Sequence, residues 1–430
     1  MIKKSIIIIL FVLIVSCNNK ITNPSETINS ITYYNTSDAE IDKFNISRYS
    51  KYNEVYLCKD VKFKKIAESP NSIIYLEDGY DISIDKIKSF CTKFEEYYPI
   101  EIEMYGEHTD MDANGKVILL IARLTDEGNP APPKGYFYMG DLFDYIEDSN
   151  KGEYLYIGVD AIKNEADFTL GIILHELQHL INASVNFMRG GKEMDLWLNE
   201  SLSESTSILF APLIIDYRVG LFNGIDYYSF YSWYNTYNVI DNNPKYIYNS
   251  YASASIFMQW LYTKDKYIFQ KIAHSDIAKN SYQRLLDSVQ HLKQGGYVWE
   301  DLFFDWIEAV DNGAVSGVSI NKVAPNSSIK LDPGSLVVYD SLDDDSQNAN
   351  IANLSRRIIN KENKKNILAF NNITLDAVPY IPDDKNVVMF NTPNINSSLL
   401  RNTINIYKPK EAIGNHFIDR IIKINDLKNQ

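Results

Sequence analysis

The sequence predicts an α+β fold, and three observations carry the prediction. Between about residues 55 and 160, short apolar runs alternate with turn residues around one helical stretch. Between about 160 and 310, apolar residues recur at three- and four-residue steps, the spacing of amphipathic helices. From about 316 the short apolar runs return, punctuated by Pro325, Pro333, Pro379 and Pro382, which predicts a small all-β domain over 316–430. The 430 residues are 45% apolar and 23% charged, a composition suited to a folded chain of two or three domains.

The N-terminus has the layout of a targeting segment. Lys3 and Lys4 precede the apolar run Ile6 to Val15, which is too short to span a bilayer. Small Ser16 and then Cys17 follow it. Leu13-Ile14-Val15-Ser16-Cys17 resembles a bacterial lipobox, which implies cleavage before Cys17 and a lipid on its thiol. The alternative is a plain secretory signal that contains a cysteine. Asn, Ser, Thr and Pro24 crowd the next residues, so 18–54 is expected to be a flexible tether. On this reading the protein is exported and anchored to a bacterial membrane by lipid, not by a spanning helix.

Within the β-rich part, Ser72 to Glu77 predicts a strand. Ile84, Ile87, Phe90, Cys91 and Phe94 predict a helix from Ile84 to Tyr98, ended by Pro99. Asp110-Met111-Asp112-Ala113-Asn114-Gly115 matches the opening of a calcium loop. Ile121 stands where an EF-hand would place its glutamate, so a polar turn is the preferred reading, with a weak Ca²⁺ site at Asp110, Asp112 and Asn114 as the other. Lys116 to Leu124, Gly135 to Met139 and Glu153 to Val159 read as strands. Cys58 and Cys91 form either a disulfide, as export would permit, or two buried thiols.

His175-Glu176-Leu177-Gln178-His179 opens the helical part with the pattern H-E-x-x-H. Residues four apart share a helix face, so both imidazoles can bind one Zn²⁺ while Glu176 reaches its water. Leu170, Ile173, Leu174, Leu177 and Ile181 form an apolar face that supports the helix. Histidine is scarce, with six in the chain, which makes the pairing informative. Downstream, Trp197-Leu198-Asn199-Glu200-Ser201-Leu202-Ser203-Glu204 offers Glu200 as a third ligand. Three protein ligands and an open fourth position are what catalytic zinc requires. Glu204 lies four residues on, on the same face, placed to receive the outer N–H of a ligating histidine.

H-E-x-x-H followed by N-E-x-x-S-[DE] resembles the gluzincin zinc metallopeptidases, the group of thermolysin and the zinc aminopeptidases. The W-L-N-E wording and the export signal look most like the hyicolysin-type neutral metallopeptidases. The likeness is sharp from Asp160 to Glu204, looser to about 310 and not visible in the last hundred residues. It implies a zincin-like catalytic core over 55–315, with an edge strand between 116 and 159 that binds the peptide backbone. Glu204 departs from thermolysin-like enzymes, which carry Asp there. The upstream G-x-M-E-N signature of the zinc aminopeptidases is absent, which favours an endopeptidase.

The aromatic stretch from Tyr227 to Tyr251 reads as packing of helices and loops, or as a cleft wall. Tyr251-Ala252-Ser253-Ala254-Ser255 is similar to the Y-x-x-G-A segment of gluzincin aminopeptidases. That likeness implies that the Tyr251 hydroxyl stabilises the oxyanion.

The expected activity is hydrolysis of a peptide or protein substrate with one Zn²⁺ on His175, His179 and Glu200 and with Glu176 as general base. A net charge of −14 argues against a nucleic-acid partner. The rival readings are a non-catalytic zinc-binding surface lipoprotein on the same scaffold, and a binding protein without metal.

Overall fold

A computed structural model describes residues 24–35, 37, 39–50, 55–128, 133–226, 228–229, 245–323, 328–331, 334–340, 354–361, 364–371 and 388–391. Cys17, the signal segment, most of the aromatic stretch after Tyr227 and most of the acidic turn after Asp340 lie outside them.

Two runs of unbroken apolar residues form the centre of the main sheet. They are Val117–Ala122 (β6) and Tyr154–Gly158 (β8), and every residue in both is buried. Such runs suit parallel strands covered on both faces, because no position along them meets water. Around them lie Pro24–Ile28 (β1), Ile31–Tyr34 (β2), Ile41–Tyr49 (β3), Val55–Glu68 (β4), Ser72–Glu77 (β5) and Gly135–Phe137 (β7). The order is β1-β2-β4-β5-β6-β8-β7, with β3 also paired to β4. β5, β6 and β8 run parallel, and β7 pairs antiparallel with β8 at the edge.

Alternate residues of the central strands face two cores. Leu119, Ile121, Leu155 and Ile157 meet Phe90 and Phe94 of α1 (Ile84–Tyr105) and Ile173 and Leu177 of α2 (Val159–Asn182). Ile118, Leu120, Tyr154 and Tyr156 form a second cluster with Ile46 and Phe63, packed by Phe44. Phe44 sits edge-on to Phe63 and Tyr75, with centroids 5.5 and 5.0 Å apart. The described part of 18–54 is therefore not a tether. Residues 24–34 and 41–49 are sheet strands, and β3 seals the second face. Burial of Phe44 and Ile46 outweighs the polar composition that suggested a linker.

Pro99 does not end α1 either. It removes one helix hydrogen bond, but the next turn buries Tyr105, whose hydroxyl meets Ser205 Oγ at 2.6 Å. Cys58 on β4 and Cys91 on α1 are free thiols, and burial pushes the Cys91 thiol up to about 12.

The helical part follows. α2 continues into a π-helical turn at Ala183–Phe187. Leu196–Phe210 (α3), Pro212–Phe222 (α4), the two-residue strand Tyr228–Ser229 (β9), Lys245–Lys264 (α5), Ile268–Ala273 (α6), Ser281–Val289 (α7) and Trp299–Asp311 (α8) come next. α2 and α4 approach closely at Gly171, where a Cβ would lie 2.5 Å from Ala211 Cβ and 2.7 Å from Ile214 Cδ1. Gly171→Ala is thus expected to destabilise the fold by about 1–3 kcal/mol through overpacking, read as a lower Tm.

The last strands are Ser328–Leu331 (β10), Ser335–Asp340 (β11), Leu354–Lys361 (β12), Lys364–Asn371 (β13) and Val388–Asn391 (β14). They form a two-stranded sheet, β10-β14, and a four-stranded sheet, β12-β13-β11-β9. This is the expected C-terminal β structure, but β9 comes from the helical part and ties the larger sheet to it. Phe370 stacks on Phe303 of α8 at 5.0 Å, and Arg357 pairs with Asp301 at 2.7 Å and with Asp305. The α+β class holds, with a mixed sheet first and helices after.

Candidate metal centre and cleft

The two histidines come from α2 and the carboxylate from α3, packed against it. His175, His179 and Glu200 are all buried, and one ligand atom of each lies within 4.8 Å of the others. Glu200 Oε2 is 3.2 Å from His175 Nε2 and 3.5 Å from His179 Nε2. That buried oxygen makes no hydrogen bond. A buried carboxylate oxygen without a hydrogen bond is costly, and two ring nitrogens converging on it form the N₂O donor set that zinc takes. The residues present therefore fit the metal.

Electrostatics agree. Burial alone would raise the Glu200 carboxyl, yet the adjacent histidines hold it well below the usual carboxylate range. Burial would lower His179, yet the charge of Glu200 beside it carries it up to about 9. The negative field that favours a proton there would also favour a divalent cation.

Glu176 is not among these ligand atoms. Its Oε2 accepts a 3.0 Å hydrogen bond from the backbone N–H of Phe137 on β7. Burial raises its carboxyl above the ordinary value, against the lowering effect of the two histidines. Glu204 is fully buried, with Oε1 3.5 Å from His175 Nδ1. Its stronger partner is Arg218 of α4, which was not foreseen. Arg218 Nε and Nη2 donate to the two Glu204 oxygens, both at 2.8 Å. The Arg218 guanidinium also lies 4.6 Å over the Tyr251 ring. Tyr251, on α5, is 6.1 Å from the His175 ring, and burial raises its phenol well above the ordinary value.

The outer partners of His179 were also missed. His179 Nδ1 lies 3.0 Å from both Asn199 Oδ1 and Ser203 Oγ. Both residues are letters of the N-E-x-x-S pattern. Asn199 precedes the ligand Glu200, and Ser203 lies one turn beyond Asn199 on the same face.

The centre opens into a cleft of about 200 Å³. β7 and the residue after it, Gly135 to Tyr138, form one wall, and Ser47 and Tyr49 of β3 contribute to another. Tyr136 Oη takes the Ser47 N–H at 2.8 Å and so joins the two walls. A smaller pocket beside His179 is lined by Phe137, Met139, Phe187 and Met194, with three asparagines.

A second acidic group lies apart from this centre. Asp110 and Asp112 converge with Glu153. Asn114 donates its side-chain N–H to Asp112 Oδ2 at 2.5 Å, and the Gly115 N–H donates to Asp110 at 2.9 Å. These bonds are those of the polar turn that the sequence favoured. Among the described residues no helix is long and apolar enough to cross a membrane.

No family model matches the chain. Over 200 residues the chain is 28% identical to the neutral metalloprotease ShpI of Staphylococcus hyicus. That match spans 43% of this chain and 45% of the relative, less than half of each. Among solved structures, an aminopeptidase N family protein from Idiomarina loihiensis aligns with a TM-score of 0.35 and 11% identity. The alignment covers 79% of this chain and 70% of that one.

Proposed function

We propose that the protein is a zinc metallopeptidase of gluzincin type that cuts internal peptide bonds. One observation carries the reading. Three buried donor atoms converge, and Glu176 stands beside them in the lining of an open cleft. The partial match to a neutral metalloprotease supports it.

His175, His179 and Glu200 would hold the ion. Bound zinc would polarise the scissile carbonyl and lower the pKa of water towards about 7. Glu176, aimed by the Phe137 N–H, takes the proton of the attacking water and delivers it to the leaving amine. Its raised affinity for a proton suits that shuttle, since a base works best with a pKa near the working pH. The Tyr251 hydroxyl donates to the oxygen on which charge develops. Among the described residues β7 ends the sheet on the cleft wall, an edge with which an extended peptide backbone can pair.

Endopeptidase action is supported by the cleft lining. Among the described residues its carboxylates are Glu176 and Glu200, to which the reading already gives other tasks. The G-x-M-E-N signature of the zinc aminopeptidases is not found in the sequence. For localisation we propose export and a lipid on Cys17, on the strength of Leu13 to Cys17 alone.

The test uses protein lacking residues 1–17. It should contain about one zinc per chain by elemental analysis. It should cleave a peptide library at internal bonds, lose that activity to a chelator and regain it with zinc. Protein that takes up no zinc at all would remove the enzyme reading.

A further inference from the structure

Behind His179 a line of buried amides leads to a buried arginine. Arg284 of α7 is 1% exposed. Its partners carry no charge. They are Ser275 Oγ at 2.8 Å, the carbonyls of Ile272 and Ala273, and Asn186 Oδ1 at 2.5 Å. A buried guanidinium with no carboxylate among its hydrogen-bond partners, and only the charge of Asp276 acting on it, is expensive to keep, so its placement calls for a reason.

The chain of contacts has one direction. Arg284 Nη1 donates to Asn186 Oδ1. Asn186 Nδ2 donates to the Asn182 side-chain oxygen and, at 2.8 Å, to its carbonyl. Asn182 Nδ2 donates to Asn199 Oδ1 at 2.7 Å. That same oxygen faces His179 Nδ1 at 3.0 Å. Asn182 immediately precedes the π-helical turn Ala183–Phe187, and Asn186 lies within it. Such turns interrupt a helix at a cost and recur at functional sites.

We infer that Arg284 is a positioning residue for His179, acting through Asn186, Asn182 and Asn199. The argument follows from what each group can do. A guanidinium only donates, so Asn186 must turn its oxygen to Arg284 and its nitrogen to Asn182. Asn182 must then accept from Asn186 and donate to Asn199. Asn199 must present oxygen to His179. His179 therefore keeps a proton on Nδ1, which leaves Nε2, the nitrogen facing Glu200, as the one that would bind the ion. A reversed Asn199 would present N–H to Nδ1, move the ring proton to Nε2 and oppose coordination. The inference rests on the zinc reading proposed above.

Asn186→Asp isolates the relay. The new carboxylate still accepts from Arg284, and gives it a charge partner, but cannot donate to Asn182. Asn182 and Asn199 are then expected to reverse. In the full chain, with zinc as the probe and a competing chelator, zinc affinity should fall about 10-fold, the low end for loss of an outer partner. The Tm of the zinc-free protein should stay the same or rise. Arg284→Met should lose a similar factor with a lower Tm, and Arg284→Lys, also donor-only, should recover most of it. An Asn186→Asp protein that binds zinc within about twofold of the wild type would overturn the relay, whatever Arg284→Met does. If the wild type itself binds no zinc, the metal reading falls and the relay with it. If both proteins bind it equally, only the relay falls.

Discussion

Glu176→Gln is expected to keep one zinc per chain and to lower kcat about 10²- to 10⁴-fold, the range for removal of a positioned general base. The substitution is close to isosteric. Gln can still accept the Phe137 N–H that the carboxylate accepts, so the side chain should stay in place. It is not among the converging ligand atoms, so zinc content should not change. What disappears is the capacity to take a proton from water and return it to the amine. The measurement is steady-state cleavage of one defined peptide, normalised to zinc content. Cleavage within about tenfold of the wild type would refute Glu176 as the base. The result also separates the two classes of reading that the sequence left open. A non-catalytic zinc-binding lipoprotein would show the same low turnover with Glu or Gln at 176. Its Glu176 carboxylate, held by a backbone N–H from the cleft wall, would then have no chemical task.

The sequence made the ligands legible because their chemistry depends on local spacing. Helix period pairs His175 with His179, one turn apart, and Glu200 stands out by a motif of its own. The strands β6 and β8 were equally plain, since unbroken apolar runs have few other uses. What could not be read depended on contacts between distant segments. β3 covers a sheet face through Phe44 and Ile46, but polar neighbours dilute that signal to the look of a tether. Pro99 persists inside α1 because tertiary burial of the following turn outweighs a missing hydrogen bond. Arg218 and Arg284 carry no motif at all. Each matters only because folding brings it to Glu204 or Asn186. Asn199 and Ser203 were visible as letters, yet their task at His179 needed the geometry of two packed helices.

Loss of a ligand should have the other large effect, and pH should show how the centre is built. Glu200→Gln and His175→Ala should each weaken zinc binding by well over about 100-fold, since even an outer partner costs about 10- to 100-fold. The pH dependence distinguishes charge from shape. In the zinc-free protein His179 holds a proton up to about pH 9, because burial, which opposes it, is outweighed by the charge of Glu200. Its pKa lies above the unfolded value of about 6.5. The stability it contributes is therefore fully present below about 6.5 and lost as pH rises through about 9. Glu200 has the opposite sign. Its carboxyl is depressed, so its contribution is present above the ordinary carboxylate range and fades as acid protonates it. Zinc must displace the His179 proton, so wild-type affinity should climb with pH until about 9 and then level. In Glu200→Gln the larger raising charge is gone, with Glu176 left, and the climb should end at a pH well below that of the wild type. Chelator competition from pH 6 to 9.5 on both proteins gives the two curves. Parallel curves would mean that Glu200 does not set the protonation of His179, and that it contributes to the centre only as a third donor atom.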